Sequence, residues 1–455
     1  MTIAGYSDKS EFVSKLNQHV SASQPLRSIE GLFGREKEIS LIEEALYAEG
    51  RHAFIYGDRG VGKSSLAAAA ASQYQSSDNR PIQVSCGPDT TFYQTIEEIA
   101  QHVVKKANGK RKYNAESSLN LKIYTVKWKN EDREITIPSV DSIYSAVEAI
   151  EETANCHSKC PVVVIDEFDQ ISSHDERKLF AVFLKALGDS CVGIKFIFTG
   201  VASSLQQLLG DHQSSFRQLL TIPLDRLNWT PRETIVKDAL KSFGISVDPE
   251  VLYSIAKLSN GFPYYAHLIT ERLLWDAFNN ESVVDLIGQD EFEEALRGAI
   301  AGIQAHLDEP YQKATLRRTN DYREIVWATA DSESMLRYSH HLFSSYLRIH
   351  EQLYGKDPSP EDCPLPKDKF MKRLANLKKP EYGGILESVT DRKGIYSYRE
   401  NFLRGYVAMK ALEAGVELQG DKPDEPKVPT AMAREKRQTS AGKDLTPNVK
   451  FRGEE

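Results

Sequence analysis

An apolar run that breaks into a glycine-rich turn ending in Lys-Ser is the strongest structural signal in this chain. Residues 53–65 read AFIYGDRGVGKSS, and an alanine-rich helical segment follows. Glycines in such a turn let the backbone curl so that its N–H groups point at phosphate oxygens. The lysine adds a point charge on the terminal phosphates, the serine hydroxyl can ligate Mg²⁺, and the helix dipole favours an anion. The predicted phosphate-binding residues are Gly57, Asp58, Arg59, Gly60, Val61, Gly62, Lys63, Ser64 and Ser65, and Lys63 is also predicted to act in catalysis.

A second apolar run, about a hundred residues later, ends in paired carboxylates. Residues 161–169 read PVVVIDEFD. We expect Asp166 to hold the metal through water, with Ser64 as a second ligand, and Glu167 to polarise the attacking water. Together the two runs define a site for a nucleoside triphosphate with Mg²⁺, and they predict hydrolysis of that nucleotide.

The composition is that of an ordinary soluble globular protein. Of 455 residues, 40% are apolar and 27% are charged, and this length suggests roughly two to four domains. The sequence has no N-terminal segment in which charged residues precede an apolar stretch, as in a secretory signal peptide. It also has no apolar run of about 18 residues, the length of a transmembrane helix. Five cysteines in so long a chain do not make a disulfide framework. We therefore expect a cytoplasmic protein without a membrane partner.

The charge distribution is uneven. The formal net charge is −8, which argues against the whole chain coating a nucleic acid. However, residues 366–410 carry eleven Lys and Arg against five Asp and Glu, and residues 105–133 carry nine against three. These basic islands are either contacts for phosphate backbone or ordinary solvated faces, and composition leaves both alternatives open.

The order of segments predicts an α/β fold built on a parallel sheet. The strand and helix at residues 53–75 are followed by the β run PIQVSC and the helical segment FYQTIEEIAQHVVKKA. Lys63 and Asp166 are 103 residues apart, whereas two βαβ crossovers need only about 60. The surplus contains alternating residues on both sides of a polar turn at 129–132, which predicts an inserted β-hairpin at about 119–138.

A purely helical section follows the sheet. Thr230, Pro231 and Glu233 have the pattern of a capping box with proline at the first helical position. The predicted helices of this lid-like bundle lie near 231–243, 249–259, 263–279 and 290–306.

From about residue 310 the pattern changes to helix, helix, basic helix and hairpin, which is the order of a winged helix-turn-helix. The basic helix reads KDKFMKRLANLKK, and the hairpin reads ILESVT, DRKG and IYSYR. The last stretch is rich in Pro, Lys and Glu with few apolar residues, which predicts disorder. The predicted units are an N-terminal helical segment (1–29), a nucleotide-binding domain (30–228), a helical lid (229–308), a winged-helix domain (309–415) and a disordered tail (416–455).

These motifs resemble the AAA+ superfamily of P-loop ATPases over roughly residues 30–410. The similarity is nearest to the origin-recognition and cell-division-control initiator group and its relatives, which include signal-transduction ATPases with numerous domains and bacterial defence ATPases. The resemblance implies an AAA+ parallel sheet sandwiched by helices, followed by a helical lid and a winged-helix domain. It also implies ATP as the nucleotide, Mg²⁺ as the metal, and an enzyme that hydrolyses ATP.

The resemblance further implies roles for residues outside the glycine-rich turn. Leu32, Phe33 and Gly34 match the segment that wraps the adenine in the family. Thr199 occupies the sensor-1 place at the end of the fourth strand, where a hydroxyl bonds the γ-phosphate or the attacking water. Arg217 lies just before the closing strand, where family members carry an arginine finger supplied by a neighbouring subunit.

The lid departs from the initiator pattern at one position. Gly261, Phe262 and Pro263 match the Gly-x-Pro turn of the group, and Pro263 is predicted to lie near the adenine. Tyr264 stands where initiators carry the sensor-2 arginine, and Arg272, two turns later, is a weak substitute. A Gly-x-Pro turn without arginine is closer to the signalling ATPases.

Two functions remain open at this point. In the first, nucleotide state controls the binding of duplex DNA by the winged helix through residues 366–404. The basic residues expected to contact phosphate are Lys369, Lys372, Arg373, Lys378, Lys379, Arg392 and Lys393. In the second, the protein is a signalling or defence switch whose winged helix packs against its own ATPase module and binds protein. The expected partners besides ATP and ADP are therefore duplex DNA, further copies of the chain, or another protein.

Overall fold

The computed structural model describes residues 8–20, 25–26, 28–75, 81–106, 122–128, 131–137, 139–157, 160–190, 193–202, 217–303, 305–316, 318–389 and 394–418. Of the predicted disordered tail (416–455), residues 419–455 lie outside the described residues, as do the wing residues Arg392 and Lys393. The prediction is wrong for residues 416–418, because Val416 and Leu418 are buried in the hydrophobic core.

A parallel sheet forms the centre of the molecule. The strands of this part of the chain are β1 (His52–Tyr56), β2 (Ile82–Ser85), β3 (Lys122–Trp128), β4 (Glu131–Ile137), β5 (Val162–Asp166), β6 (Lys195–Gly200) and β7 (Leu219–Pro223). Five of them lie in the order β2–β5–β6–β1–β7, and each neighbouring pair is parallel. Strands β1, β5 and β6 are buried along their whole length, which explains their continuous apolar sequences. The predicted α/β fold with a parallel sheet is confirmed.

Helices cover both faces of this sheet. The helices that precede the lid are α1 (Lys9–His19), α2 (Glu36–Tyr47), α3 (Lys63–Tyr74), α4 (Phe92–Lys106), α5 (Ile143–His157) and α6 (His174–Ser190). Successive residues of β1 point to opposite faces, so Ile55 packs in the core that contains α2 and α3, whereas Phe54 packs with α4, α5 and α6. The sheet is therefore the middle layer of three.

Strands β3 and β4 lie outside the central sheet. They pair antiparallel from Lys122 opposite Ile137 to Trp128 opposite Glu131. The pair lies between α4 and α5 in the chain, in the segment for which the sequence predicts an inserted hairpin.

Four helices of the lid follow the sheet. They are α7 (Trp229–Ser242), α8 (Pro249–Ser259), α9 (Pro263–Asn279) and α10 (Gln289–Ala301), with the short strands β8 (Ser246–Val247) and β9 (Leu286–Ile287) between them. The predicted capping box at Thr230 is wrong, because α7 begins two residues earlier than predicted and Asn228 holds the N-cap position. The Glu233 carboxylate instead accepts a hydrogen bond from the indole of Trp229 at 2.8 Å.

Helix α1 packs against the lid. The ring of Phe12 is fully buried and stacks on Phe278 with 4.3 Å between centroids. Phe243 and Trp275 contact the same ring at 5.5 and 5.0 Å. The N-terminal helix is thus anchored to the lid by a cluster of aromatic rings.

Residues 305–418 form the C-terminal module. Its elements are α11 (Ala305–Thr315), α12 (Asn320–Thr329), β10 (Arg337–Tyr338), α13 (Ser339–Tyr354), α14 (Lys367–Asn376), β11 (Leu386–Ser388), β12 (Ile395–Tyr398) and α15 (Leu403–Glu413). The strands form an antiparallel sheet in the order β10–β12–β11. One hydrophobic core runs from the sheet face at Ile55 through Leu273 of the lid to Trp327 and Tyr406 of the C-terminal module.

A buried ion pair also joins the lid to the C-terminal module. Two guanidinium nitrogens of Arg232 donate to the two carboxylate oxygens of Glu333 at 2.8 and 3.0 Å. The two side chains are 1% and 4% exposed. Removal of one partner would leave an uncompensated charge in a site that water does not reach.

We predict that Glu333→Ala lowers the free energy of unfolding by about 3–5 kcal/mol, because it removes the carboxylate that pairs with the buried Arg232 guanidinium. Chemical denaturation followed by circular dichroism measures this loss. As a control, Glu309→Ala removes the partner of Lys313 from a solvent-exposed ion pair and should leave stability nearly unchanged. Equal stabilities of the two variants would contradict the prediction.

Candidate functional site

The glycine-rich turn connects β1 to α3 at the edge of the sheet. Gly60 and Gly62 have φ of 80° and 97°, a region that favours glycine. A Cβ on Gly57 would lie 2.2 Å from the carbonyl oxygen of Leu224. These three glycines therefore shape the turn. Gly57 lies against the backbone of Leu224 and does not line the cavity.

Lys63 lies over the same turn. Its ammonium donates to the carbonyl oxygens of Gly57 at 3.1 Å and Asp58 at 2.9 Å. Burial lowers the pKa of Lys63, and the nearby carboxylates of Asp169, Asp58 and Asp166 oppose that change. The amine is thus positioned beside the turn, in the place that a phosphate-binding lysine requires.

The carboxylate of Asp166, at the end of β5, lies opposite the start of α3. Its Oδ1 accepts from the Ser64 hydroxyl at 2.9 Å and from the hydroxyl of Thr199. Its Oδ2 accepts from the amide of Gln83 at 3.3 Å. A hydroxyl beside a carboxylate is a hard oxygen donor set that fits Mg²⁺.

Glu167 has an uncommon backbone conformation. Its φ is 55° and its ψ is 40°, which is left-handed for a residue with a side chain. Its N–H donates to Thr199 Oγ1 at 3.0 Å and to Asp166 Oδ1 at 3.1 Å. The side chain is exposed and lines the cavity, as a group that polarises water must do. Backbone strain of this kind clusters at functional sites.

A cavity of about 550 Å³ extends from the glycine-rich turn to the lid. The predicted site residues on its wall are Leu32, Phe33, Asp58, Arg59, Gly60, Val61, Gly62, Lys63, Ser64, Ser65, Asp166, Glu167, Thr199 and Pro263. Gly34 does not line it; a Cβ there would lie 2.4 Å from Pro231, so this glycine serves the packing of the segment on α7. Contact between Gly34 and the nucleotide stays a prediction.

Arg35 supports the turn from the adjacent segment. Its guanidinium donates to the carbonyl oxygen of Val61 at 2.8 Å, and the side chain is 5% exposed. Burial lowers the pKa of Arg35 to about 10, against the opposing effect of Glu38 and Asp225. Sequence analysis predicted an adenine-binding segment here, but no local pattern indicated that Arg35 would bind the turn.

The two remaining arginine predictions have different outcomes. Arg272 is paired with Asp276 at 2.6 Å and lies away from the cavity, so it does not replace a sensor-2 arginine. Tyr264 lines the cavity in its place. Arg217 is exposed just before β7 and does not line the cavity of its own chain, so contact with a neighbouring subunit stays a prediction.

A segment of the C-terminal module completes the cavity wall. Residues 399–402 line it, and the amide of Asn401 donates to the Asp58 carboxylate at 2.8 Å. A Cβ on Gly60 would lie 2.4 Å from the ring of Phe402. The hydroxyl of Tyr265 in the lid donates to the carbonyl oxygen of Phe402 at 2.8 Å. Sequence reasoning missed this segment, because only the order of the folded elements brings it to the turn.

The turn, the carboxylate pair and the parallel sheet define a P-loop site for a nucleoside triphosphate. Residues 31–194 match the family model described as AAA ATPase domain. This part of the chain is an AAA ATPase domain, and the protein is an ATPase, as the sequence predicted. In the part of the chain that the structure describes, the helices are too short or too polar to cross a membrane.

Several solved structures are similar to this chain. A Walker-type ATPase of Pyrococcus abyssi is 19% identical with a TM-score of 0.48, over 85% of this chain and 98% of that one. Cdc6p of Pyrobaculum aerophilum is 16% identical with a TM-score of 0.42, over 90% and 99%. ORC1 of Aeropyrum pernix, solved in complex with DNA, is 12% identical with a TM-score of 0.41, over 89% and 97%. Curated protein sequences give no match. At these identities and TM-scores, the similarities do not specify a partner.

We predict that Glu167→Gln slows ATP hydrolysis by about 10²–10⁴-fold while ATP binding is retained, because the amide cannot take a proton from water. Phosphate release and titration calorimetry measure the two quantities. The matched control Glu148→Gln changes an exposed carboxylate on α5 and should hydrolyse at the normal rate. Undiminished hydrolysis by the Glu167 variant would exclude it as the catalytic base.

Proposed function

We propose that this protein is an ATP-binding and ATP-hydrolysing switch whose nucleotide state controls the position of its C-terminal module. The observation that carries this proposal is the contact of Asn401 with Asp58, together with residues 399–402 on the cavity wall. A nucleotide in this cavity would touch both modules. The binding free energy of the nucleotide would then depend on whether the C-terminal module is docked. A ligand shifts the equilibrium between docked and undocked states only when it binds the two states with different free energies.

The residues of the site divide the chemistry of hydrolysis among them. Lys63 neutralises charge on the terminal phosphates. The Ser64 hydroxyl and the Asp166 carboxylate would hold Mg²⁺, which would supply further neutralisation of the transferring group. Glu167 takes the proton of the attacking water. Thr199 orients Glu167 through the backbone N–H of that residue.

Arg217 is proposed to act between subunits. It is exposed and lies at the end of the sheet, just before β7. A guanidinium supplied there to a neighbouring copy would stabilise charge on the transferring phosphoryl group. Assembly of the chain would then be coupled to hydrolysis.

We predict that Asn401→Asp speeds nucleotide release by about tenfold or more, because it places one carboxylate against another at the Asp58 contact. Stopped-flow dissociation of a fluorescent ADP analogue measures the rate. Asn376→Asp is the matched control, since the Asn376 amide donates at the same 2.8 Å distance to Tyr322 within the C-terminal module. A hydroxyl can donate to the new carboxylate, so release should stay normal there. Equal release from wild type and the Asn401 variant would contradict the docking switch.

A second candidate function is DNA binding by the C-terminal module, which we propose to be a winged helix. The order helix, strand, helix, helix, strand, strand from α12 to β12 supports that interpretation. Four lysines on or next to α14 are exposed: Lys367, Lys369, Lys372 and Lys379. Such a cluster suits phosphate contacts along duplex DNA.

Arg373 also has a structural role within the module. Its guanidinium forms an ion pair with Asp321 and lies over the ring of Tyr322, 4.7 Å from the centroid. Lys378 is also engaged, since its amine donates to the Ser388 hydroxyl at 3.0 Å. Both cations therefore make contacts within the module while they stay partly exposed, and their contact with DNA stays a prediction.

We predict that charge reversal of Lys369, Lys372 and Lys379 weakens duplex DNA binding and reduces the salt dependence by about one ion per lysine. Fluorescence anisotropy over a range of salt concentrations measures both. Reversal of three exposed lid and sheet-face lysines, Lys37, Lys185 and Lys241, makes the same change in net charge away from α14 and should have little effect. The absence of binding at low salt, with and without ATP, would exclude this function.

A further inference from the structure

A groove of about 410 Å³ lies between the lid and the C-terminal module and shares no lining residue with the nucleotide cavity. Tyr253 of α8 forms one wall of this groove. It is 40% exposed, and its ring centroid lies 5.1 Å from that of Trp229. The floor is apolar and is made by both modules: Leu258, Ala408, Leu412 and Leu418. Aromatic-lined grooves are surfaces that bind extended, proline-rich peptides.

A lysine faces this groove without a direct partner. Lys257 lines the groove one turn after Tyr253, and its ammonium lies 5.8 Å from the centroid of the Tyr253 ring. In the part of the chain that the structure describes, this ammonium forms neither a hydrogen bond nor an ion pair. Burial lowers the pKa of Lys257, and the carboxylates of Glu417 and Asp331 oppose that change. The groove therefore offers a half-buried positive charge to an anionic ligand.

The last described residues of the chain run into the same groove. Val416 and Leu418 are buried and Glu417 between them is exposed, which is the alternation of an extended chain. The backbone of Glu417 is fixed by the side chain of Gln352, to which its N–H donates and from which its carbonyl oxygen accepts, both at 3.0 Å. The following residues therefore start at the groove.

The sequence that follows Leu418 has a pattern that suits this groove. Residues 423–429 read PDEPKVP, with proline at every third position. A polyproline II helix has about three residues per turn, so these prolines would lie on one face. The linking residues 419–422 span up to about 17 Å when extended, which is enough to bring this face to the groove.

The charges of the segment match those of the groove in order and in spacing. The effect of Glu417 on Lys257 places the start of the tail at that end of α8. Lys257 and the exposed Glu250 are seven residues apart on α8, about 10 Å along the helix axis. Asp424 and Lys427 are three residues apart, about 9 Å in a polyproline II helix. A chain that runs from Lys257 toward Glu250 therefore meets both with the opposite charge.

We propose that residues 423–429 bind in the groove between α8 and α15 as a strap. Its prolines pack on the aromatic wall and the apolar floor, and its charged residues pair with Lys257 and Glu250. A strap in this position contacts both modules, so it favours the docked C-terminal module over the undocked one. This last consequence rests on the proposed nucleotide switch, whereas the binding of the segment in the groove does not.

Photo-crosslinking of the full chain tests the strap. The photoreactive p-benzoylphenylalanine replaces Tyr253 in a mixture of unlabelled and isotope-labelled chains, and mass spectrometry identifies the residues that irradiation joins. The expected product joins position 253 to residues 423–429 of the same chain. The same replacement at Tyr144, which is 80% exposed on α5, is the matched control and should not join that segment.

Charge exchange tests the ion pair with Lys257. The double substitution Asp424→Lys with Glu425→Lys should lower the yield of the product about fivefold, because it places ammonium groups against Lys257. Addition of Lys257→Glu should restore part of the yield. The two tail substitutions leave every described residue unchanged, so a fall in yield does not reflect misfolding of the two modules.

The proposal is overturned if position 253 joins another copy of the chain, joins only other segments, or gives no product. An unchanged yield after the two tail substitutions, or a yield that Lys257→Glu does not restore, overturns it as well. The yield is measured without nucleotide, so this result is separate from that of the docking switch, which ADP release from the Asn401 variant tests.

Discussion

The Asp166 carboxylate holds the parts of the nucleotide site together. It is 5% exposed, so its charge depends on hydrogen-bond donors supplied by the protein. Those donors come from three different elements: Ser64 at the start of α3, Gln83 on β2 and Thr199 at the end of β6. Because the carboxyl ends of parallel strands meet at one edge, the fold can bring these side chains to one acceptor.

The same arrangement sets the conformation of the neighbouring residue. Thr199 Oγ1 accepts from the backbone of Glu167, which helps to hold that residue in its left-handed conformation. At the glycine-rich turn, Ser64 donates to Asp166 of the sheet, and Asp58 accepts from Asn401 of the C-terminal module. The turn is therefore held by one contact with the sheet and by another with the C-terminal module. Any movement of that module alters one of its two supports.

The sequence predicted those parts of the site whose signals are local. The glycine-rich turn and the buried strand that ends at Asp166 are each short, continuous stretches of sequence. Thr199 was predicted from the family resemblance, which places such a residue at the end of the fourth strand. The contact of Asn401 with Asp58 joins residues 343 positions apart, and no pattern in either segment pointed to the other. The ion pair of Arg373 was missed for a related reason, since a charged helix predicts exposed cations but does not show that Asp321 pairs with one of them.

The aromatic anchor of the N-terminal helix has a mechanical consequence. Phe12 is enclosed by rings that belong to lid helices, with Phe278 stacked directly on it. Helix α1 is therefore fixed to the lid, although it precedes the first strand of the sheet in the chain. A rotation of the lid would also carry α1, so a partner bound to this helix would move with the lid rather than with the sheet.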